Sequence, residues 1–295
     1  MSKLHIQHTT RRLIALLLSM TAWLAAGPLP VQAADETLVV GIFPRRPAIQ
    51  TEAMFRPLIE HLRQTLHRPV RLEVPPDFPA FWQAVSESRY QLVHYNQYHY
   101  VRTHKEFGYR VVAMNEEYGD TRIRGTLWVR KDSGIKTAAD LKHKKVVFGG
   151  GPKAMISYIV ATDLLRQAGL QEGDYVSQFT INPTHAMMAV YYRQGVAAGL
   201  NLNAPKQPIL QRKIDFDEVT PLLIADPIAL HPWAVTAAVS PQLQADITAA
   251  LLQLNDSAVG IETLQHADLT GLRPATDADY DPHRRIIERV LGESY

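Results

Sequence analysis

The chain has 295 residues, 46% hydrophobic and 20% charged, with no cysteine and a formal charge of +2. The hydrophobic fraction suffices for a sizeable core and excludes disordered, collagen-like and low-complexity classes; the missing cysteine excludes disulfides, thiolate metal sites, cysteine nucleophiles and a lipid-modified N-terminal cysteine. Residues 1–33 carry Lys3, Arg11 and Arg12 and no acid, and removing these three from the 31 Lys and Arg leaves 28 against 29 acidic residues, without the basic surplus of a nucleic-acid binder.

The first predicted element is an address. Lys3, Arg11 and Arg12 form a positive start, residues 13–26 an apolar run of 14, and Val31-Gln32-Ala33 a cleavage site after Ala33. The run is too short for a comfortable membrane span; an uncleaved anchor is the alternative. The expected product is soluble, exported to a periplasm and not a lipoprotein.

Strand-like and helix-like runs then alternate. Residues 38–43 read as a strand, 51–67 as a helix with Met54, Leu58, Leu62 and Leu66 each four apart, and 70–74 as a second strand. A helix over 81–88, a strand over 91–95, a helix over 98–107 and a strand over 110–114 follow. Further on come a strand over 126–130, a helix over 137–142, a strand over 145–148 and a helix over 155–168 ended by Gly169. This order predicts an α/β fold of mostly parallel sheets with helices on both faces. About 260 residues exceed one core, so two lobes are expected: 34–124 plus 229–295, and 125–228. A ligand cleft lies between such lobes, at the carboxyl ends of strands.

The turns after strands supply the candidate residues. Arg45 and Arg46 follow the first strand, and guanidiniums there fork onto an oxyanion or stand solvated. His94-Tyr95-Asn96-Gln97-Tyr98-His99-Tyr100 follows the third strand. His94, Tyr95, Asn96, Tyr98 and His99 can line a polar cleft or form a packing cluster under a helix. A metal reading through His94, His99 and His104 is disfavoured, because five residues separate the last pair where a helical ligand pair wants four. Gly149-Gly150-Gly151-Pro152-Lys153 precedes a helix; Gly150 and Gly151 can bring backbone N–H groups to an anion and Lys153 can add charge. His185 can reach the cleft, or it or Thr184 can cap the next helix, and Asn203 follows another apolar strand. Glu116, Glu117 and Asp120 form an acidic cluster, read as a solvated loop rather than a catalytic pair. No hydrolase or metalloprotease motif is present, so no catalytic residue, metal or cofactor is expected.

These segments together resemble the PhnD-like family of phosphate/phosphite/phosphonate ABC-transporter substrate-binding proteins. The resemblance is carried by Val40-Gly41-Ile42-Phe43-Pro44, by Phe55-Arg56-Pro57-Leu58 and by Val129-Arg130-Lys131-Asp132-Ser133-Gly134-Ile135. Ala139-Asp140-Leu141-Lys142, Phe148-Gly149 with Tyr158, Leu164-Leu165-Arg166-Gln167-Ala168-Gly169-Leu170 and the closing Asp277-Ala278-Asp279-Tyr280-Asp281-Pro282 extend it over nearly all of the chain past residue 33. It implies a type II periplasmic-binding fold that closes on an anion, gripped here by the Arg45-Arg46 loop, the tyrosine turn and the segment from Gly149 to Ser157 and Tyr158. Where the family carries a Ser/Thr-rich run before that tyrosine, this chain has only Ser157. The implied function is delivery of a small anion, phosphonate-, phosphite- or phosphate-like, to an inner-membrane ABC permease by a monomer that does no chemistry and binds no nucleic acid. A sensor-kinase partner, or a metal receptor on the same fold, is the rival reading.

Overall fold

A computed structural model describes residues 37–44 and 46–295. The expected signal peptide, 1–33, and Arg45 lie outside the described residues. Among those described, no helix is long and apolar enough to cross a membrane.

The first half begins with β1 (Leu38–Ile42), α1 (Ala48–Leu66), β2 (Val70–Glu73), α2 (Phe78–Ser86), β3 (Leu92–His94), α3 (Gln97–Phe107) and β4 (Arg110–Glu116). Helix α1 buries Phe55, Leu58, Ile59 and Leu62 on one stripe, the spacing that its sequence period requires. Asp77 caps α2 by accepting the Ala80 N–H at 2.9 Å. Asn96 caps α3, and Gly108 ends it in the left-handed conformation.

The chain then passes through β5 (Arg122–Ile123) into β6 (Gly125–Arg130), β7 (Lys145–Gly149), α4 (Ala161–Gln167), β8 (Val176–Thr180), α5 (Pro183–Tyr191), β9 (Ala197–Asn201), the short α6 (Pro208–Gln211) and β10 (Val219–Ile224). It returns through β11 (Ile228–Ala229) to β12 (Pro232–Val235), α7 (Pro241–Gln253), α8 (Ala258–His266), β13 (Gly271–Arg273) and α9 (Asp281–Leu291).

The strands form two sheets, ordered β13-β4-β12-β3-β1-β2 and β10-β6-β9-β7-β8, joined by the β11-β5 ladder where the chain crosses. This is the two-sheet α/β architecture expected. The pairing is mixed rather than mostly parallel. β1 pairs β2 and β3 in parallel, and β7 pairs β8 and β9 in parallel; the other ladders are antiparallel. For β6 and β12 the reason is the double crossing. β6 and β12 each enter a sheet from the opposite end, directly after a crossing strand, so they run against their neighbours.

Two helix expectations change. Residues 137–142 give only a single 3₁₀ turn, Ala138–Leu141, fixed by a capping box between Thr137 and Asp140. Residues 155–168 open as a π-helical turn, Met155–Val160, before α4. That turn lies almost against the sheet: a Cβ on Gly199 would stand 2.0 Å from the Ser157 carbonyl oxygen, and one on Gly125 2.4 Å from Val160 Cγ1. Such single π turns within an α-helix are frequent at functional sites.

One apolar cluster runs across both halves. Ile286, Ile287 and Val290 of α9 belong to the same cluster as Tyr98 and Val101 of α3 and as Met155, Ile159 and Val160 of the π turn.

Candidate functional site

The turn after β3 is filled by its own aromatics. His94 is fully buried, its ring 4.7 Å from Trp233 and 5.2 Å from Phe43 between centroids. Phe43 in turn stacks on His231 at 5.3 Å. Tyr95 is buried among Phe81, Tyr100 and Tyr109. Asn96 spends its side-chain oxygen on the Tyr98 N–H at 2.9 Å. His99 stacks on Phe78 at 5.3 Å; burial, with the Arg102 and Lys153 charges adding, lowers its pKa to about 3, so the ring is neutral.

Metal-ligating groups do not converge. His94, His99 and His104 point to separate partners, His104 Nδ1 lying 2.8 Å from the Tyr109 carbonyl. Among the described residues no three His, Asp or Glu side chains are grouped to hold a metal ion.

The turn after β7 is different in kind. Gly150 and Gly151 both sit at φ +83°, where only glycine is unstrained. The Gly150 N–H donates to Thr180 O at 3.0 Å and the Ala154 N–H to Gly151 O at 3.1 Å. The turn is partly exposed and leads into the π turn and α4, so the first amides of a helical segment, which lack intrahelical acceptors, stand beside it. Ser157 is buried and its hydroxyl donates to the Gly149 carbonyl. Its hydroxyl proton thus goes to the turn itself. Tyr158 packs edge-on against Phe148 at 5.1 Å and beside Phe179.

Two residues singled out from sequence meet across the halves. Lys153 Nζ lies 4.8 Å from the centroid of the Tyr98 ring, a cation–π arrangement. Between them sits a group that sequence reading passed over: Glu293. Its carboxylate accepts from Lys153, from Tyr98 Oη at 2.7 Å and from Tyr295 Oη at 2.9 Å. Burial chiefly raises the Tyr98 hydroxyl to about 12. Burial also works against ionising Glu293, yet the Lys153 charge and the two hydroxyls hold its carboxyl below the usual range. Gln97, also passed over, is fully buried and donates to Ala229 O of the crossing strand at 3.3 Å.

Other expected residues stand apart from this meeting point. Arg46 pairs with Asp268 at 2.6 Å. His185 is exposed, its Nδ1 2.9 Å from Asn182 Oδ1. Asn182, not Thr184 or His185, caps α5, because Pro183 takes the first helical position and places Asn182 at the cap. Asn203 is half-buried before a 3₁₀ turn and makes no capping bond. Glu116 binds Arg273 and Thr270, and Asp120 accepts the Arg122 N–H at 2.8 Å; the acidic cluster shapes a hairpin.

Two sheets linked by a double crossing of the chain are the architecture of the type II periplasmic-binding fold. The model of the family described as "ABC transporter, phosphonate, periplasmic substrate-binding protein" matches residues 40–280. The chain belongs to this family of periplasmic substrate-binding proteins of phosphonate ABC transporters. Among solved structures it is similar to PhnD1 from Prochlorococcus marinus (MIT 9301) in complex with methylphosphonate, at 14% identity and a TM-score of 0.74 over 88% of this chain and 100% of that one. It is also similar to XAC2383 from Xanthomonas citri bound to ATP, at 16% identity and 0.73 over 87% and 98%. A binding component of an ABC phosphonate transporter from Pseudomonas aeruginosa matches at 14% and 0.72, over 86% of each chain. At these identities the structures establish the fold.

Proposed function

We propose that this chain captures a small oxyanion, of the phosphonate class, between its lobes and hands it to an inner-membrane ABC permease, without bond chemistry. In this reading lobe 1 comprises 34–124 and 229–295 and lobe 2 comprises 125–228, hinged at the paired crossing strands. One observation carries the reading: the partly exposed Gly150–Gly151 turn on the second sheet brings Lys153 to Tyr98 on the first. Backbone N–H groups, a helix start and the Lys153 ammonium, which also pairs with Glu293, supply the attraction. With Ser157 spent on Gly149, backbone amides and Lys153 stand in for the Ser/Thr hydroxyls that the family resemblance implies. Closure follows because such a ligand gains contacts to both lobes at once.

Isothermal titration of residues 34–295 with methylphosphonate, phosphate, phosphite and sulfate tests this. Binding of a phosphorus oxyanion that weakens about tenfold in Lys153→Ala, the scale of one charge-assisted contact, supports the reading. Absence of binding by all four, or unchanged affinity in the variant, rejects it.

A further inference from the structure

The C-terminal helix belongs to neither sheet alone. Its start is rooted at the crossing strand: Tyr280 Oη donates to Leu230 O at 3.0 Å, and His283 Nε2 lies 3.1 Å from Ala229 O. Asp277, just before it, holds Tyr100 of α3 at 2.8 Å. Its far end is fastened to the second sheet's helix: Arg289 makes two bonds to the buried Asp163, at 2.9 and 2.7 Å, and Arg166 donates to Arg289 O. Beyond it, Glu293 touches both sides, Lys153 from one and Tyr98 from the other.

From this geometry we infer that α9 and the residues after it form a catch across the cleft flank, in which Glu293 positions Lys153 against Tyr98 and holds the lobes together before any ligand arrives. The argument is one of partner number. Lys153 and Tyr98 sit on different sheets. When the lobes part, one carboxylate cannot keep both, so opening leaves Glu293 short of a charge-assisted bond. Asp163 is buried, and separating it from Arg289 would leave a charge without a partner, which is strongly unfavourable. The helix tip therefore stays with the second lobe and Lys153, and the polar contact that parts on opening is the one between Glu293 and Tyr98 of the first lobe.

The chain has no cysteine, so two labels can be placed without background. Ile49, 84% exposed at the start of α1, and Ile181, 85% exposed just after β8, follow the carboxyl ends of strands in the two sheets. Spin labels on Ile49→Cys and Ile181→Cys read lobe separation in ligand-free 34–295, so the outcome is independent of what the cleft binds. In Glu293→Gln the ratio of long to short separations should rise about tenfold, as should that of a chain ending at Gly292. The charge swap Lys153→Glu with Glu293→Lys should restore the short separation, which a merely structural role would not. Wild-type distances in both the Gln variant and the shortened chain, or a swap that fails to restore them, would overturn the inference.

Discussion

The turns after β3 and β7 hold matching places, each at the carboxyl end of a strand paired in parallel, yet they are built oppositely. After β3 the sequence is dense in polar aromatics, and the fold consumes them: Tyr95 and His94 are core and Asn96 is a cap. After β7 the sequence is nearly bare of side chains, and the turn stays accessible. Richness in hydrogen-bonding side chains is therefore a poor guide to a ligand surface when the same residues bring ring area that burial rewards. The sparse turn, partly exposed and able to offer backbone N–H groups, is the better candidate.

Removing Tyr95 should break this contrast most visibly. If its ring is core, Tyr95→Ala costs about 3–5 kcal/mol, the range of large aromatic truncations, in urea unfolding; a loss below about 1 kcal/mol would return Tyr95 to the cleft wall. The next effect is pH-dependent. Folded His99 has its pKa lowered to about 3 against an ordinary 6.5, so on acidification the unfolded chain takes up the proton first. Its contribution is fully present above pH 6.5 and is lost as pH falls from 6.5 towards 3. At pH 5 relative to pH 7, His99→Phe should recover about 2 kcal/mol of the stability that wild type loses; parallel stability profiles for the two proteins would show the ring to be solvated. The smallest effect belongs to the glycine turn. A Cβ on Gly151 meets nothing within 4 Å, so Gly151→Ala should cost only the backbone penalty of about 1–2 kcal/mol. A larger loss in the unfolding midpoint would mean that the turn is packed, not accessible.

The strand and helix order of the first half was legible because its helices are amphipathic: Phe55, Leu58 and Leu62 announce α1 by spacing alone. The aromatic run was legible as a cluster but not as a core, since α3 distributes adjacent residues around its circumference and only the neighbouring Phe78, Phe81 and Tyr109 decide which sides are covered. The π turn was hidden because residues 155–160 carry the same apolar spacing as the helix they open, and the Gly125 and Gly199 they seat against lie in distant sequence. Glu293 was hidden for the same reason. It is an ordinary acid after the helix-ending Gly292, and it becomes part of the candidate site only when Lys153, 140 residues away, folds beside it.

Strand order also governs timing. β12 sits between β3 and β4 in the first sheet, yet it follows the whole of the second sheet in the chain. A polypeptide delivered N-terminus first can thus complete the second sheet while the first still lacks an interior strand. Contacts of such long sequence separation form slowly. Until residue 235 has emerged, β3 and β4 remain unjoined edges that could pair wrongly, and the first sheet is completed late in the chain's emergence.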